Sequence, residues 1–335
     1  MYTGEYVKTG LVCQSHRPYY TDGTRRRQDY RQYRLQKGDT MESTGRVWMN
    51  GELVPWEKAT VPLLSHGFSR GSAIFEVLGT HKGPDGVYAF RMDEHLKRLE
   101  QSARVLEMEM AYSSEEIVQA VKNTVLANSL ERGIVKIFAY WAEETVINLV
   151  LESKLDMAIF AIPDSDELGL DKSEPISACL SKWRKIHPET VPVSAKACAN
   201  YLNGYLARKD ASDRGFDVGL LAGTDDFLAE GSIESVFLVK DGVLKTPPLG
   251  NILSSITRKS ILQATEVLGL PTSQDPIRSQ ELFTADEIFT AGTGTMISPV
   301  ARFEDRHLAA PGPVSKQLMD QMKNIFNFTD DRFRI

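Results

Sequence analysis

The sequence predicts a two-domain α+β fold of mixed strands and helices, and three observations carry that prediction. At 335 residues the chain exceeds what one ordinary core accommodates. Strand-like alternation and helix-like periodicity interleave along most of it, with neither confined to one half. A polar, turn-rich stretch without periodicity, PDSDELGLDK from Pro163 to Lys172, separates two such patterned regions. The expected division is an extension over 1–44, a smaller N-terminal α/β domain over 45–165, an interdomain loop over 166–171, and a larger C-terminal domain over 172–335.

The elements follow in chain order. Residues 1–44 hold the basic run Arg25-Arg26-Arg27, several tyrosines and almost no aliphatic periodicity, which predicts a disordered extension. From Arg46, RVWMNGELVP alternates around Asn50-Gly51, a strong short hairpin signal. A strand at Ala73–Gly79 turns through Gly83–Gly86 into a second at Val87–Arg91. Asp93 offers a cap for a helix with Leu96, Leu99, Ala103 and Leu106 at helical spacing. Ser113-Ser114 followed by Glu116 opens another helix, with Ile117, Val121 and Val125 on one face. Strands at Ile134–Trp141 and Leu155–Ile162 complete the first unit. The second unit reads as a strand at Pro175–Trp183, a helix over Ala199–Arg214 ended by Gly215, and strands at Asp217–Leu221, Phe227–Ala229 and Glu234–Val239. Lys240-Asp241-Gly242 turns into Val243–Thr246. Ser255 opens a helix to Val267, and a strand at Glu287–Ala291 leads into Gly292-Thr293-Gly294-Thr295.

Composition excludes several functions. A net charge of −6 gives no electrostatic footprint for nucleic acid or an anionic membrane. Cys13, Cys179 and Cys198 form no CxxC pair, and the six histidines show no metal spacing, so no metal is expected. Sparse, unpaired cysteines suggest a reducing compartment. No apolar run approaches the roughly eighteen residues of a membrane helix, and the first residues lack an apolar signal core. These features predict a cytoplasmic protein.

Local chemistry is modest. GxGxxG, P-loop and HExxH motifs are absent. Ser255-Ile256-Thr257 lies at a predicted helix N-terminus, where free N–H groups and the dipole favour a phosphate, although a simple cap is the commoner role there. The Gly292–Thr295 turn offers further donors or an ordinary loop. Lys196, in SAKACANY, is by itself one lysine among many.

The order of the pieces says more. SKWRKIHPETVPVSAKACANYLNGYLA, DFLAEGSIESVFLVKDGVLKTPP, SSITRKSIL, DEIFTAGTGTMISPV and, in the first unit, VYAFRMDEHLKRLEQSA together resemble the class IV pyridoxal-phosphate-dependent aminotransferases, most closely the branched-chain amino acid aminotransferases. The resemblance runs from about Val47 to Phe326. It implies that family's two-domain fold, pyridoxal 5′-phosphate as cofactor, and transfer of an amino group between an amino acid and a 2-oxo acid. Lys196 takes the Schiff-base position, Glu230 the partner of the pyridine nitrogen, and Tyr201 the phenol on the cofactor's 3′-oxygen. Arg91 takes the phosphate arginine, and Ile256, Thr257 and Thr293 the rest of the phosphate cup. The resemblance also implies a homodimer whose loops close each other's pockets.

The match departs from the branched-chain members at the substrate. Gly79 stands where they carry an arginine, and the strand VKIFAYW lacks a second, offering Lys136, Tyr140 and Trp141 instead. Ser255 replaces a glycine usual before the Ile-Thr pair. Phe75, Tyr140, Gly294 and Arg70 are the candidates to contact substrate, with Phe75, Tyr140 and Trp141 favouring a hydrophobic or branched-chain donor unless they are domain core. The alternatives are a D-amino-acid or (R)-amine aminotransferase, a lyase of the aminodeoxychorismate type, and a cofactor-binding protein without turnover.

Overall fold

A computed structural model describes residues 45–164, 173–294 and 296–325. The predicted extension and interdomain loop lie outside the described residues. Asn50 and Gly51 both adopt left-handed backbone, with φ of 49° and 100°. They close the hairpin of β1 (Arg46–Met49) and β2 (Glu52–Pro55) as the sequence predicts. A single helical turn, α1 (His66–Ser69), precedes a second hairpin of β3 (Ile74–Gly83) and β4 (Gly86–Ala89).

Helices α2 (Met92–Val105) and α3 (Ser114–Ala127) follow, then β5 (Gly133–Tyr140) and β6 (Asp156–Pro163). At α3 the predicted capping box forms, Ser113 accepting from the Glu116 N–H and Glu116 from the Ser113 N–H. Helix α2 differs from expectation. It begins directly after Arg91, whose φ is 50°, so Asp93 sits inside the first turn against the helix dipole instead of capping it. The strands form a six-stranded sheet in the order β2-β1-β6-β5-β3-β4. Helices α2 and α3 bury Leu96, Leu99 and Val121 against Leu78, Ile137 and Ile159 of one face. Lys136, Phe138 and Tyr140, alternating with the core residues of β5, stand on the other.

The second sheet contains β7 (Ile176–Arg184), then, after α4 (Tyr201–Asp213), β8 (Val218–Ala222), β9 (Leu228–Glu230), β10 (Ser235–Lys240) and β11 (Val243–Lys245). After α5 (Ile256–Leu268) come β12 (Thr272–Ser273), β13 (Glu287–Gly292), β14 (Met296–Phe303) and β15 (Arg306–His307), and α6 (Pro313–Ile325) ends the described chain. The order is β12-β11-β10-β13-β14-β7-β8-β9, with β15 on β14. The patterning does not predict α1, β12, β14, β15 or α6. Pro299 interrupts the strand signature of β14, yet it pairs opposite Phe289.

The two sheets meet at the segment before α4. The Phe75 N–H donates to the Lys196 carbonyl at 3.0 Å, and the Cys198 N–H to the Ala73 carbonyl at 2.7 Å. Residues 196–198 therefore run alongside β3 and fix Lys196 at the seam.

Candidate active site

Lys196 is held by its backbone before its side chain does anything. Its N–H donates to Ser102 Oγ at 3.0 Å, and that hydroxyl donates to the Arg98 carbonyl one turn earlier in α2 at 2.9 Å. The side chain reaches Tyr201, at the start of α4, with Nζ 2.7 Å from the phenol oxygen. Nζ also lies 4.8 Å from the centre of the Phe75 ring, and the Phe75 and Tyr201 rings are themselves 4.8 Å apart. Burial, with the Arg98 guanidinium nearby, brings the amine down from the ordinary lysine range to about 8. Burial, reinforced by Glu230, pushes the Tyr201 phenol well up, so it remains a proton donor at neutral pH.

Glu230, at the end of β9, lines a space of about 410 Å³ open to solvent together with Tyr201, Lys185, Val193, Ala195 and Leu253 among others. Its Oε1 is 2.5 Å from Lys185 Nζ, and Lys185 is 8% exposed. Lys185 occupies one oxygen of this carboxylate and leaves the second for another donor.

The phosphate end departs from expectation. Helices α2 and α5 run antiparallel, and their contacts form a ladder: Arg91 to Gln263, Glu94 to Lys259 at 2.7 Å, and Arg98 to the Ser254 carbonyl at 2.9 Å. Arg91 thus meets the middle of α5 and spends its guanidinium on Gln263 and Glu94. The ladder brings Arg98, not Arg91, to the N-terminus of α5, where Ile256 and Thr257 are buried in the first turn. Helix-start N–H groups, a guanidinium and Lys196 therefore converge at one place. Arg98 was legible as part of a polar stripe, His95, Arg98 and Ser102, beside the apolar stripe of α2, but its partner was not.

Beneath Arg98 lies Glu76, fully buried on β3. It receives Arg98 Nε and Nη2 at 2.7 Å each and His95 Nδ1 at 2.8 Å. Burial alone would raise the Glu76 carboxyl, but Arg98 and His95 outweigh it and hold it at about 2. Burial lowers His95, which stays a neutral donor.

The remaining candidates divide. Thr293 and Gly294 are half-buried in the turn after β13. Arg70 is exposed and donates to the Val146 carbonyl at 3.0 Å. Tyr140 is buried and its phenol is pushed up to about 12 by burial and by Asp156. Trp141 belongs to the helix-side core, its Nε1 donating to the Ser153 carbonyl at 2.7 Å. Lys136, which the sequence offers in place of the missing strand arginine, stands 4.6 Å from the Phe138 ring centre and 5.2 Å from that of Phe75. Burial lowers its ammonium.

An enclosed amine of lowered proton affinity, a phenol on it, an anchored carboxylate and a cationic helix N-terminus are the donor set that a phosphorylated pyridine aldehyde requires. The chain belongs to the amino-transferase class IV family, whose profile matches residues 73–303. It is a pyridoxal-phosphate-dependent aminotransferase. It is similar to the branched-chain-amino-acid aminotransferase of Escherichia coli (strain K12), 30% identical over 300 residues that cover 88% of this chain and 97% of that protein. Among solved structures it resembles the branched-chain aminotransferase of Thermoproteus uzoniensis with norvaline, at a TM-score of 0.81 and 33% identity over 86% of this chain and 97% of that one. The pyridoxal-phosphate form of the branched-chain amino acid aminotransferase from Thermobaculum terrenum matches with a TM-score of 0.79 and 34% identity, covering 88% and 97%. Among the described residues no helix is long and apolar enough to cross a membrane.

Proposed function

We propose that the enzyme exchanges amino groups between a hydrophobic amino acid and a 2-oxo acid, with Lys196 as the covalent anchor of its cofactor and the cleft between the two sheets, read as two domains, as the site. When bound, pyridoxal phosphate supplies an aldehyde carbon for the amine and a ring that takes up electrons from the substrate. Lys196 Nζ would take the proton from substrate Cα, for which a proton affinity near neutrality suits it. Glu230 would hold the ring nitrogen's proton through the oxygen that Lys185 leaves open. Tyr201 would orient the ring oxygen. Arg98, Ile256, Thr257 and Thr293 would hold the phosphate.

The observation that carries the substrate half is the aromatic face beside Lys196. Phe75, Phe138 and Phe160 are packed ring to ring across β3, β5 and β6, with centres 5.9 and 6.0 Å apart. Such a wall favours an apolar side chain, worth about 1.5–3 kcal/mol when fully buried. The norvaline bound to the Thermoproteus uzoniensis neighbour is an apolar amino acid of this kind. Lys136, on the same face, is the group that would receive the side-chain carboxylate of an acidic donor. The test is kcat/KM for leucine against glutamate in the first half-reaction. At least a tenfold preference for leucine is expected. A preference for glutamate that disappears in Lys136→Met would overturn the hydrophobic assignment.

The same proposal includes a second copy of this chain. Leu63, Leu64, Phe68, Val146, Ile147 and Leu149 are exposed, Ile147 by 86%. The Thr145 N–H on the Leu64 carbonyl and Arg70 on the Val146 carbonyl join them into one apolar patch. The patch borders the lysine segment, since the Ala199 N–H donates to the Gly71 carbonyl, so a second subunit there would help to close the cleft. Native mass spectrometry should show a dimer that Ile147→Asp weakens.

A further inference from the structure

We infer that Glu76 is a positioning residue for the cofactor's phosphate: with His95 behind it, its carboxylate holds the Arg98 guanidinium in the one orientation that presents two free N–H groups at the N-terminus of α5. The inference rests on the assignment of Arg98 to the phosphate made above. A guanidinium has five N–H donors. Here Nε and one N–H of Nη2 go to the two oxygens of Glu76, and one N–H of Nη1 goes to the Ser254 carbonyl. One N–H on each terminal nitrogen remains, a fork suited to two oxygens of one anion.

Among the described residues, the Ser254 carbonyl is the one other hydrogen-bond partner of that guanidinium. The Ser254 carbonyl is a single acceptor about which the guanidinium can swing, and Ser254 itself is exposed. Glu76, by contrast, is enclosed and doubly held. It is fully buried in β3, between residues paired to β5, and its Oε2 also accepts from His95 Nδ1. His95 and Arg98 project from one face of α2, three residues apart, so both clamp partners are set by the same helix. The arrangement has a cost that a purely electrostatic phosphate site would avoid. A carboxylate against the guanidinium reduces the positive potential that an anion feels. Its presence is understandable if geometry is worth more than charge at this position, and the two contributions predict opposite signs when the carboxylate is removed.

The test compares dissociation constants of pyridoxal phosphate and of pyridoxal, which share the aldehyde and the ring. Their ratio cancels what Lys196, Tyr201 and Glu230 contribute and reports the phosphate alone. In Glu76→Gln the phosphate's advantage should fall roughly tenfold, the size of one lost charge-assisted hydrogen bond. Glu76→Asp keeps the charge but shortens the reach, and it should lower the ratio in the same direction. This second variant carries the test if the glutamine protein does not fold. Glu76→Gln should have no further effect on the ratio in an Arg98→Gln background. An unchanged or increased ratio in both Glu76 variants, with a collapse in Arg98→Gln, overturns the role of Glu76 while leaving Arg98 on the phosphate. An unchanged ratio in Arg98→Gln overturns the assignment of Arg98 itself and the inference with it.

Discussion

Two lysines lie on either side of Tyr201, Lys185 in the cleft that the tyrosine lines and Lys196 on its phenol, and their neighbours give them different work. Lys185, just after β7, is nearly buried and lies 2.5 Å from the Glu230 carboxylate. Lys196, at the seam between the sheets, finds a neutral phenol at 2.7 Å and a guanidinium nearby. Burial is common to both, but only the first meets its charge with a carboxylate in contact. Burial brings the Lys196 amine down to about 8. A buried lysine becomes a base where the fold withholds a contacting carboxylate, and becomes an anchor for one where the fold supplies it.

The strongest way to break this comparison is to remove the seam lysine. Lys196→Arg should reduce the half-reaction rate by more than about 10⁴-fold, since covalent attachment and proton transfer are lost together. Borohydride reduction of the wild-type holoenzyme should leave the cofactor on the peptide containing Lys196. An adduct on another lysine would show that the seam is not the reacting end.

A smaller effect separates the ring end into its two parts. Glu230→Gln should slow Cα deprotonation roughly a hundredfold or more, with a lesser effect on cofactor affinity. Lys185→Met should act in the same direction by roughly tenfold, because it leaves Glu230 in place but unanchored. Single-turnover rates decide this. If the two losses multiply in the double variant, Lys185 does not act through Glu230.

The smallest effect is on titration. In the protein freed of cofactor, the Lys196 amine should react with trinitrobenzenesulfonate along a curve centred near pH 8 rather than near the ordinary lysine value of 10.5. Between those two values an unfolded chain holds this proton and the folded one does not, so stability should rise with pH across that window. A curve centred near 10.5, or stability falling there in wild type but not in Lys196→Met, would contradict the account of the seam.

What the sequence by itself determined rests on interactions between near neighbours. The Asn50-Gly51 hairpin, the Ser113–Glu116 capping box and the turn of left-handed Gly215 after α4 each have their cause within a few residues. The order of the motifs around Lys196 was equally legible, and it led to the family without any coordinates. The tertiary structure alone decided which charged groups meet. Arg91 and Arg98 are both arginines in one helical segment. The choice between them follows from the antiparallel docking of α2 on α5, a contact spanning more than a hundred and fifty residues of chain. Glu76 beneath Arg98, Lys185 against Glu230 and Lys136 among the aromatic rings are likewise set by packing between segments. Local propensity carries no information about that packing, because each of these side chains would be content in water until burial makes its partner obligatory.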